Sequence, residues 1–262
     1  MIWLLTRPNS DVAADAAARL IAFAEQQGVE CRTLAGHDQP QVDDLIVVLG
    51  GDGSLIRAAR RYGHLSLPML AINLGRLGYI TGFSAEHATQ ALQAAIDDQL
   101  IEDQRLRLAI AWGDQRAAAL NEALITAGEP GRICSVALSI AGNPATSLRG
   151  DGALVATPTG STAYALSAGG PVLLPDLEAL VVVPVAPHSI RFRPLVLPPQ
   201  HVIKMTPEED AWLVLDGQKR FKINAGTTVT LDGTAPPLRL LKAAEHDHLH
   251  TLRNKLHWGE WS

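Results

Sequence analysis

The sequence predicts two successive architectures: an α/β part built on an open, mostly parallel sheet, then a mainly antiparallel β part. Three observations predict them. Short apolar runs alternate with amphipathic, helix-length runs as far as about Asp98. Near Ile101 the apolar period drops to two, in "RLRLAIAW" (105–112). From there to about Thr234 the chain is strand-rich and punctuated by Gly and Pro.

Taken in order, Ile2 to Thr6 reads as the first strand. Asp11 to Gln27 reads as an Ala-rich helix, with Gly28 as its stop signal. Val29 to Leu34 is strand-like, and "DDLIVVL" supplies the next strand. Ser54 to Tyr62 has helical spacing, and "LPMLAINLG" is a strand entered through Pro68. Ser84 is placed to cap a helix running to about Asp98. In the alternating segment Leu106, Leu108, Ile110 and Trp112 share one face, with Arg105 and Arg107 on the other. Gly113-Asp114 then reads as a two-residue hairpin turn. The final "DHLHTLRNKLHWGEWS" regains helical character and is expected to pack back on the first part. The expected domains are therefore 1–103 with 236–262, and 104–235, with a cleft between them as the ligand site.

Composition narrows the function classes. The chain has 262 residues, 47% of them apolar, which supports sizeable cores and argues against disorder. A net charge of −5 gives no global basic field, so no nucleic-acid partner is expected. The opening "MIWLLTRPNS" is too short in apolar length for a signal peptide or a membrane span, so no membrane partner is expected. Cys31 and Cys134 are far apart and outside any metal-ligand spacing. A cytoplasmic location is expected on both grounds.

The stretch "LIVVLGGDGSLIRAARRYG" (45–63) reads as strand, glycine turn and helix start, the usual construction of a phosphate cradle. It is neither a P-loop, lacking the lysine, nor the dinucleotide fingerprint, since Ile56 stands where the last glycine belongs. A carboxylate, Asp52, sits inside it. One reading makes Asp52 a solvated helix cap. The other gives it chemistry: a carboxylate beside phosphates can orient an acceptor hydroxyl and take its proton, or hold a metal. Arg57 either offsets phosphate charge or is an ordinary surface cation.

A second stretch, "RGDGALVATPTGSTAYALSAGGP" (149–171), is dense in Gly, Ser and Thr. Small hydroxyl side chains and open backbone suit a ligand lying against the main chain. Tyr164 offers a flat ring or a hydroxyl, and Asp151 an acceptor suited to ribose hydroxyls or a carboxamide. An ordinary polar loop remains the plain alternative.

The sequence resembles the NAD kinase family, which phosphorylates NAD to NADP with ATP. The resemblance is carried by "GGDG", "INLGRLGY" (72–79), "LNE" (120–122), the long motif above, "PHSIRFRPLVLP" (187–198), "DGQ" (216–218) and "LRNKLHWGE" (252–260), in the family's order. It implies a Rossmann-like N-terminal domain, a β-sandwich-like C-terminal domain and a homodimer or homotetramer. It implies Mg2+ or another divalent metal accompanying ATP, with NAD and ATP as small-molecule substrates. Asp52 would accept the proton of the adenosine 2′-hydroxyl, and Gly50, Gly51 and Gly53 would shape the loop near the phosphates. Asn121 and Glu122 match the pair that holds adenine and ribose. Thr159, Thr162, Ala163, Tyr164, Ala165, Leu166 and Ser167 match the dinucleotide-contacting run, and Asp151 the acid at the nicotinamide end. Arg57, Arg132, Arg149 and Gln218 match flanking polar contacts.

Two departures stand out: Ser54 where Thr is commoner, and Gly82 where an acid is often found. Neighbouring strand residues face opposite ways, so Asn121 and Glu122 can meet one ligand only at a strand end or a bulge. The Glu245, His246, His248 and His250 group reads as a solvated helix face rather than a metal site. His188 reads as a turn residue bonded to backbone, and Trp258 with Trp261 as packing for the C-terminal segment. Two rival functions stay open at this point: another kinase with a "GGDG"-like loop, of phosphofructokinase or lipid-kinase type, and a non-catalytic NAD(P)-binding regulator.

Overall fold

A computed structural model describes residues 1–7, 10–75, 78–127, 132–244, 247–256 and 258–259. In chain order the elements are β1 (Ile2–Thr6), α1 (Asp11–Gln26), β2 (Cys31–Thr33), β3 (Leu45–Leu49), α2 (Asp52–Tyr62), β4 (Pro68–Asn73), β5 (Phe83–Ser84) and α3 (Ala88–Ile96). Next come β6 (Ile101–Trp112), β7 (Gln115–Ala119), β8 (Glu122–Thr126), β9 (Cys134–Ile140), β10 (Asn143–Gly150), β11 (Gly152–Ala156) and the one-turn α4 (Tyr164–Ser167). The chain ends with β12 (Leu180–Val185), β13 (Leu195–Leu197), β14 (Ile203–Pro207), β15 (Ala211–Leu215), β16 (Lys219–Ile223), β17 (Val229–Lys242) and α5 (His248–Leu256). It divides into one unit of Met1–Gln104 with Leu238–Ser262, and a second of Arg105–Pro237.

In the first unit the end of β17, then β4, β3, β1 and β2, pair in parallel. A parallel sheet is covered on both faces, so its strands read as unbroken apolar runs. Ile46 to Leu49 accordingly have no exposed surface. Helix α1 turns Ala16, Ala17, Leu20 and Ala24 onto Leu4, Val47 and Leu70 of the sheet. Ser10 caps it, its Oγ accepting from the Ala13 N–H. Two boundaries differ from expectation. Helix α2 starts at Asp52 rather than Ser54, with Gly51 as the cap, so Asp52 lies in the first turn and is not the capping residue. Ser84 does not cap α3: a 3-10 turn, Ala85–His87, intervenes, and the Ser84 hydroxyl meets His87 Nδ1 at 2.9 Å.

In the second unit β13-β12-β11-β8-β15-β16 form an antiparallel sheet. Strands β10, β9, β14 and the start of β17 pair antiparallel as well. The Gly113-Asp114 turn closes β6 on β7, with Trp112 opposite Gln115. One core gathers Leu108, Ile110, Ile125, Val155, Met205 and Leu213. A second, with Leu154, Val181, Val183 and Ala165, covers other residues of β11 and β12. The expected polar face of β6 is wrong. Arg105 and Arg107 are buried, at 4% and 2% exposure, while Leu106 is only half-buried. Alternation separates two faces of a strand, but it does not tell water from a polar interior. Arg107 Nη1 donates to the Pro236 carbonyl at 3.1 Å, and Arg105 Nη1 to Thr159 Oγ1 at 3.4 Å.

Cys31 and Cys134 are buried free thiols, both pushed up to about 11 by burial, with Glu25 and Glu209 adding to the shift. Among the described residues no helix is long and apolar enough to cross a membrane. Helix α5 buries Leu252, and His248 Nε2 lies 3.0 Å from the Tyr79 hydroxyl, so His248 is not part of a solvated face. His250 stays exposed beside Asn254, while Glu245 and His246 lie outside the described residues. Trp258 is 57% exposed instead of packed, and Trp261 lies outside the described residues.

Candidate active site

The first unit carries a candidate site at the C-terminal ends of β1, β3 and β4, where open α/β sheets bind ligands. Here Gly50 and Gly51 leave β3 and α2 begins at once. A groove of about 440 Å³ lies there, lined by Arg7, Ser10, Gly50, Gly51, Ser54 and Asn73 among others. Gly50, Gly51, Asp52 and Gly53 are all partly exposed. Arg57 is exposed, with Nη2 on Ser54 Oγ at 3.1 Å.

The Asp52 carboxylate is firmly held. Its Oδ1 accepts from the N–H groups of Ile80 (3.2 Å) and Thr81 (3.1 Å) and from the Thr81 hydroxyl (3.1 Å). Its Oδ2 accepts from the Tyr79 N–H at 2.6 Å. The grip depends on Gly78, because a Cβ there would stand 2.5 Å from the Asp52 Cγ and 2.7 Å from Oδ2. Asn73 supports the same loop, donating through Nδ2 to Thr81 Oγ1 at 3.0 Å and accepting from the Gly75 N–H at 2.9 Å. Within "INLGRLGY", Arg76 and Leu77 lie outside the described residues.

The second unit presents a buried corner where β8 begins. Strand β8 starts at Glu122, so Asn121 sits just before it, at a strand end. The Asn121 backbone is fully used: its N–H donates to Asp216 Oδ1 at 2.7 Å, and its carbonyl accepts from Thr157 at 2.9 Å. Gly160 packs against that carbonyl, and a Cβ at 160 would stand 2.6 Å from the Asn121 Cα. Asn121 Oδ1 and Glu122 Oε2 are both buried and have no hydrogen-bond partner among the described residues. Buried polar atoms are normally satisfied, so these two neighbouring oxygens leave hydrogen-bonding capacity that a polar ligand or water can use. Burial, with the negative charge of Asp216 second, pushes the Glu122 carboxyl up to about 8.

The long motif runs past this corner. Thr159 is buried, Thr162, Ala163 and Leu166 are half-buried, and Tyr164 and Ser167 are exposed. Ala165 is fully buried in the core, and its carbonyl accepts from the Gly170 N–H at 2.8 Å. Asp151, Arg149, Arg132 and Gln218 are exposed. The His188 N–H donates to the Arg149 carbonyl at 2.9 Å, as expected of a turn residue.

Comparison with known proteins decides what these pieces belong to. Residues 30–100 match the family model of the ATP-NAD kinase N-terminal domain, and residues 120–242 match that of the C-terminal domain. The chain belongs to the NAD kinase family. An NAD kinase of Thiobacillus denitrificans is 38% identical over 231 residues, covering 86% of this chain and 80% of that protein. One from Geotalea daltonii is 34% identical over 266 residues, covering 98% and 91%. A solved NAD kinase from Archaeoglobus fulgidus, in complex with ATP, has a TM-score of 0.78 at 27% identity and covers 98% of both chains. A yeast NADH kinase complexed with NADH shares the fold at a TM-score of 0.86 and 21% identity, covering 100% of this chain and 88% of that one.

The kinase is thus a phosphotransferase with an alcohol acceptor, and neither rival function is favoured. Residue reading alone missed three features of the candidate site. The hold of residues 79–81 on Asp52 spans 27 to 29 positions, beyond any local pattern. Arg7 and Ser10 enter the groove from the β1–α1 connection, which carries no motif. Asp216 was visible in "DGQ" only as a match, and its contacts with Asn121, 95 positions earlier in the chain, and with Glu122 lie beyond any local pattern.

Proposed function

We propose that this NAD kinase moves the terminal phosphate of ATP onto the 2′-hydroxyl of the adenosine ribose of NAD, with Asp52 receiving the hydroxyl proton. One observation carries the assignment: the two carboxylate oxygens are unequally used. Among the described residues Oδ1 takes three hydrogen bonds and Oδ2 one, so Oδ2 keeps acceptor capacity for a substrate hydroxyl while the side chain stays fixed. Asp is an intrinsically weak base. In a loose transition state the hydroxyl acidifies late, so orientation matters more than basicity. The Gly50 N–H is already given to the Ile72 carbonyl at 2.9 Å, so the Gly51 backbone, with Arg7 and Ser10, offers donors and positive charge for ATP phosphates in the groove of about 440 Å³. The Archaeoglobus fulgidus relative, solved with ATP, supports a nucleotide donor.

Among the described residues no three His, Cys, Asp or Glu come together as a metal-binding group. The divalent ion is therefore proposed to arrive as substrate, on ATP, neutralising charge on the transferred phosphate. NAD is proposed to satisfy Asn121 Oδ1 and Glu122 Oε2 with its adenosine end. Tyr164, Thr162 and Ser167 line its path, and Asp151 takes the nicotinamide end. The enzyme is proposed to act in the cytoplasm as a homodimer or homotetramer.

The test is Asp52→Asn, assayed with Mg-ATP and NAD by an NADP-specific dehydrogenase. Turnover is expected to fall by about 10²- to 10⁴-fold. NAD binding by calorimetry is expected to stay within about threefold of wild type. A variant keeping half the turnover ends the assignment.

A further inference from the structure

A buried guanidinium needs a reason. Arg107 is 2% exposed and uses Nη1 on the Pro236 carbonyl, while its Nε has no hydrogen-bond partner. Charges are rarely left so deep unless another charge faces them. Asp216 supplies the nearby negative charge, which opposes the burial that lowers the Arg107 pKa. Asp216 is itself 6% exposed and sits just past the end of β15 with φ at +52°, a backbone conformation that few non-glycine residues adopt.

That conformation has a consequence. It lets one residue grip both members of the Asn121–Glu122 corner. The Asp216 N–H donates to the Glu122 carbonyl at 2.9 Å, and its Oδ1 accepts from the Asn121 N–H at 2.7 Å. The second bond is charge-assisted and lies in a dry interior, where such bonds are strongest. With their backbones pinned, Asn121 and Glu122 are left with the two orphaned side-chain oxygens, Oδ1 and Oε2.

We infer that Asp216, backed by Arg107, is a positioning residue for NAD: it sets the corner whose two orphaned oxygens meet the dinucleotide. This rests on the reading above that Asn121 and Glu122 contact NAD. In this role Asp216 acts through its bonds to Asn121 and Glu122. Losing its charge loosens the corner and weakens NAD, while leaving ATP untouched.

The experiment compares wild type, Asn121→Ala, Asp216→Asn and the double variant in steady-state assays. Asp216→Asn is expected to raise KM for NAD by about fivefold or more, the effect of a charge-assisted bond made neutral, with KM for ATP within about twofold. In the Asn121→Ala background the same change is expected to add less than about twofold, because the two act as one unit. A merely structural role lowers the melting temperature without this NAD-only split and without the coupling. If Asn121→Ala raises KM for NAD and Asp216→Asn does not, or if the two effects multiply in full, the inference is overturned. If Asn121→Ala leaves KM for NAD unchanged, the NAD-contact reading falls first and takes the inference with it. Should Asp216→Asn not fold, Arg107→Met with Asp216→Asn removes both facing charges together. That pair is expected to show the same rise in KM for NAD, and an unchanged KM there overturns the inference.

Discussion

Glycine 78 and glutamate 122 show how much of this enzyme is decided by single side chains, present or missing. A methyl group at 78 would collide with the Asp52 carboxylate, whose bonds to Tyr79, Ile80 and Thr81 fix its aim. Gly78→Ala should therefore displace Asp52 and lower kcat by about tenfold or more, since small misplacements of a reacting group are costly. Steady-state kinetics check this, and a wild-type kcat would show that the grip is not needed. Glu122 makes a prediction about pH. Its folded value, about 8, lies above its ordinary 4.5. The neutral acid is the form that folding favours, so its contribution is complete below about pH 4.5 and is lost as pH rises through about 8. Urea melts at about pH 5.5 and about pH 9 should differ by on the order of 3 kcal/mol, the higher pH being less stable. Glu122→Gln, which cannot ionise, should flatten that difference. A slope that survives the substitution would place the titrating group elsewhere.

At the scale of the element, regular patterns are legible where a strand is apolar on both faces or a helix divides core from water. Strands β1, β3 and β4 announce themselves as unbroken apolar runs, and α1 as an Ala-rich helix stopped by Gly28. Strand β6 was misread for a physical reason: its second face looks into a polar interior that holds Thr159, Pro236 and Asp216, and burial there follows partners rather than hydropathy. Helix α1 offers a direct test of the packing. Its sheet-facing residues are mostly alanines, which let the helix lie close, and Leu20 is the one large side chain among its buried positions. Leu20 is 1% exposed against Leu4, Val47 and Leu70. Leu20→Ala should cost about 2–5 kcal/mol in urea unfolding, the range for a buried leucine whose cavity cannot collapse. A loss under about 1 kcal/mol would mean that the helix repacks freely.

For the whole molecule, the switch from helical period to period two marked a real change, from parallel βα units to antiparallel strands. Local pattern could not place the side chains of Asp52, Asn121 and Asp216, because they are fixed by contacts across long stretches of chain. Assembly is legible in the same limited way. Strand β13 ends the six-stranded sheet, with β12 as its only strand neighbour among the described residues. Leu195 and Val196 on it are 47% and 45% exposed. An apolar strand with an open edge invites pairing with another chain unless charge, proline or a covering segment blocks it. Pro194 and Pro198 bracket this strand, but Leu195 and Val196 between them carry no charge, so the edge is proposed as a contact between copies. Sedimentation of the wild-type chain should give a dimer or tetramer. Leu195→Lys with Val196→Lys should shift the mass to smaller species while leaving the secondary structure unchanged, because charge on an edge disfavours pairing between chains and costs the monomer little. A wild-type monomer, or a double variant of undiminished mass, would remove β13 from the assembly.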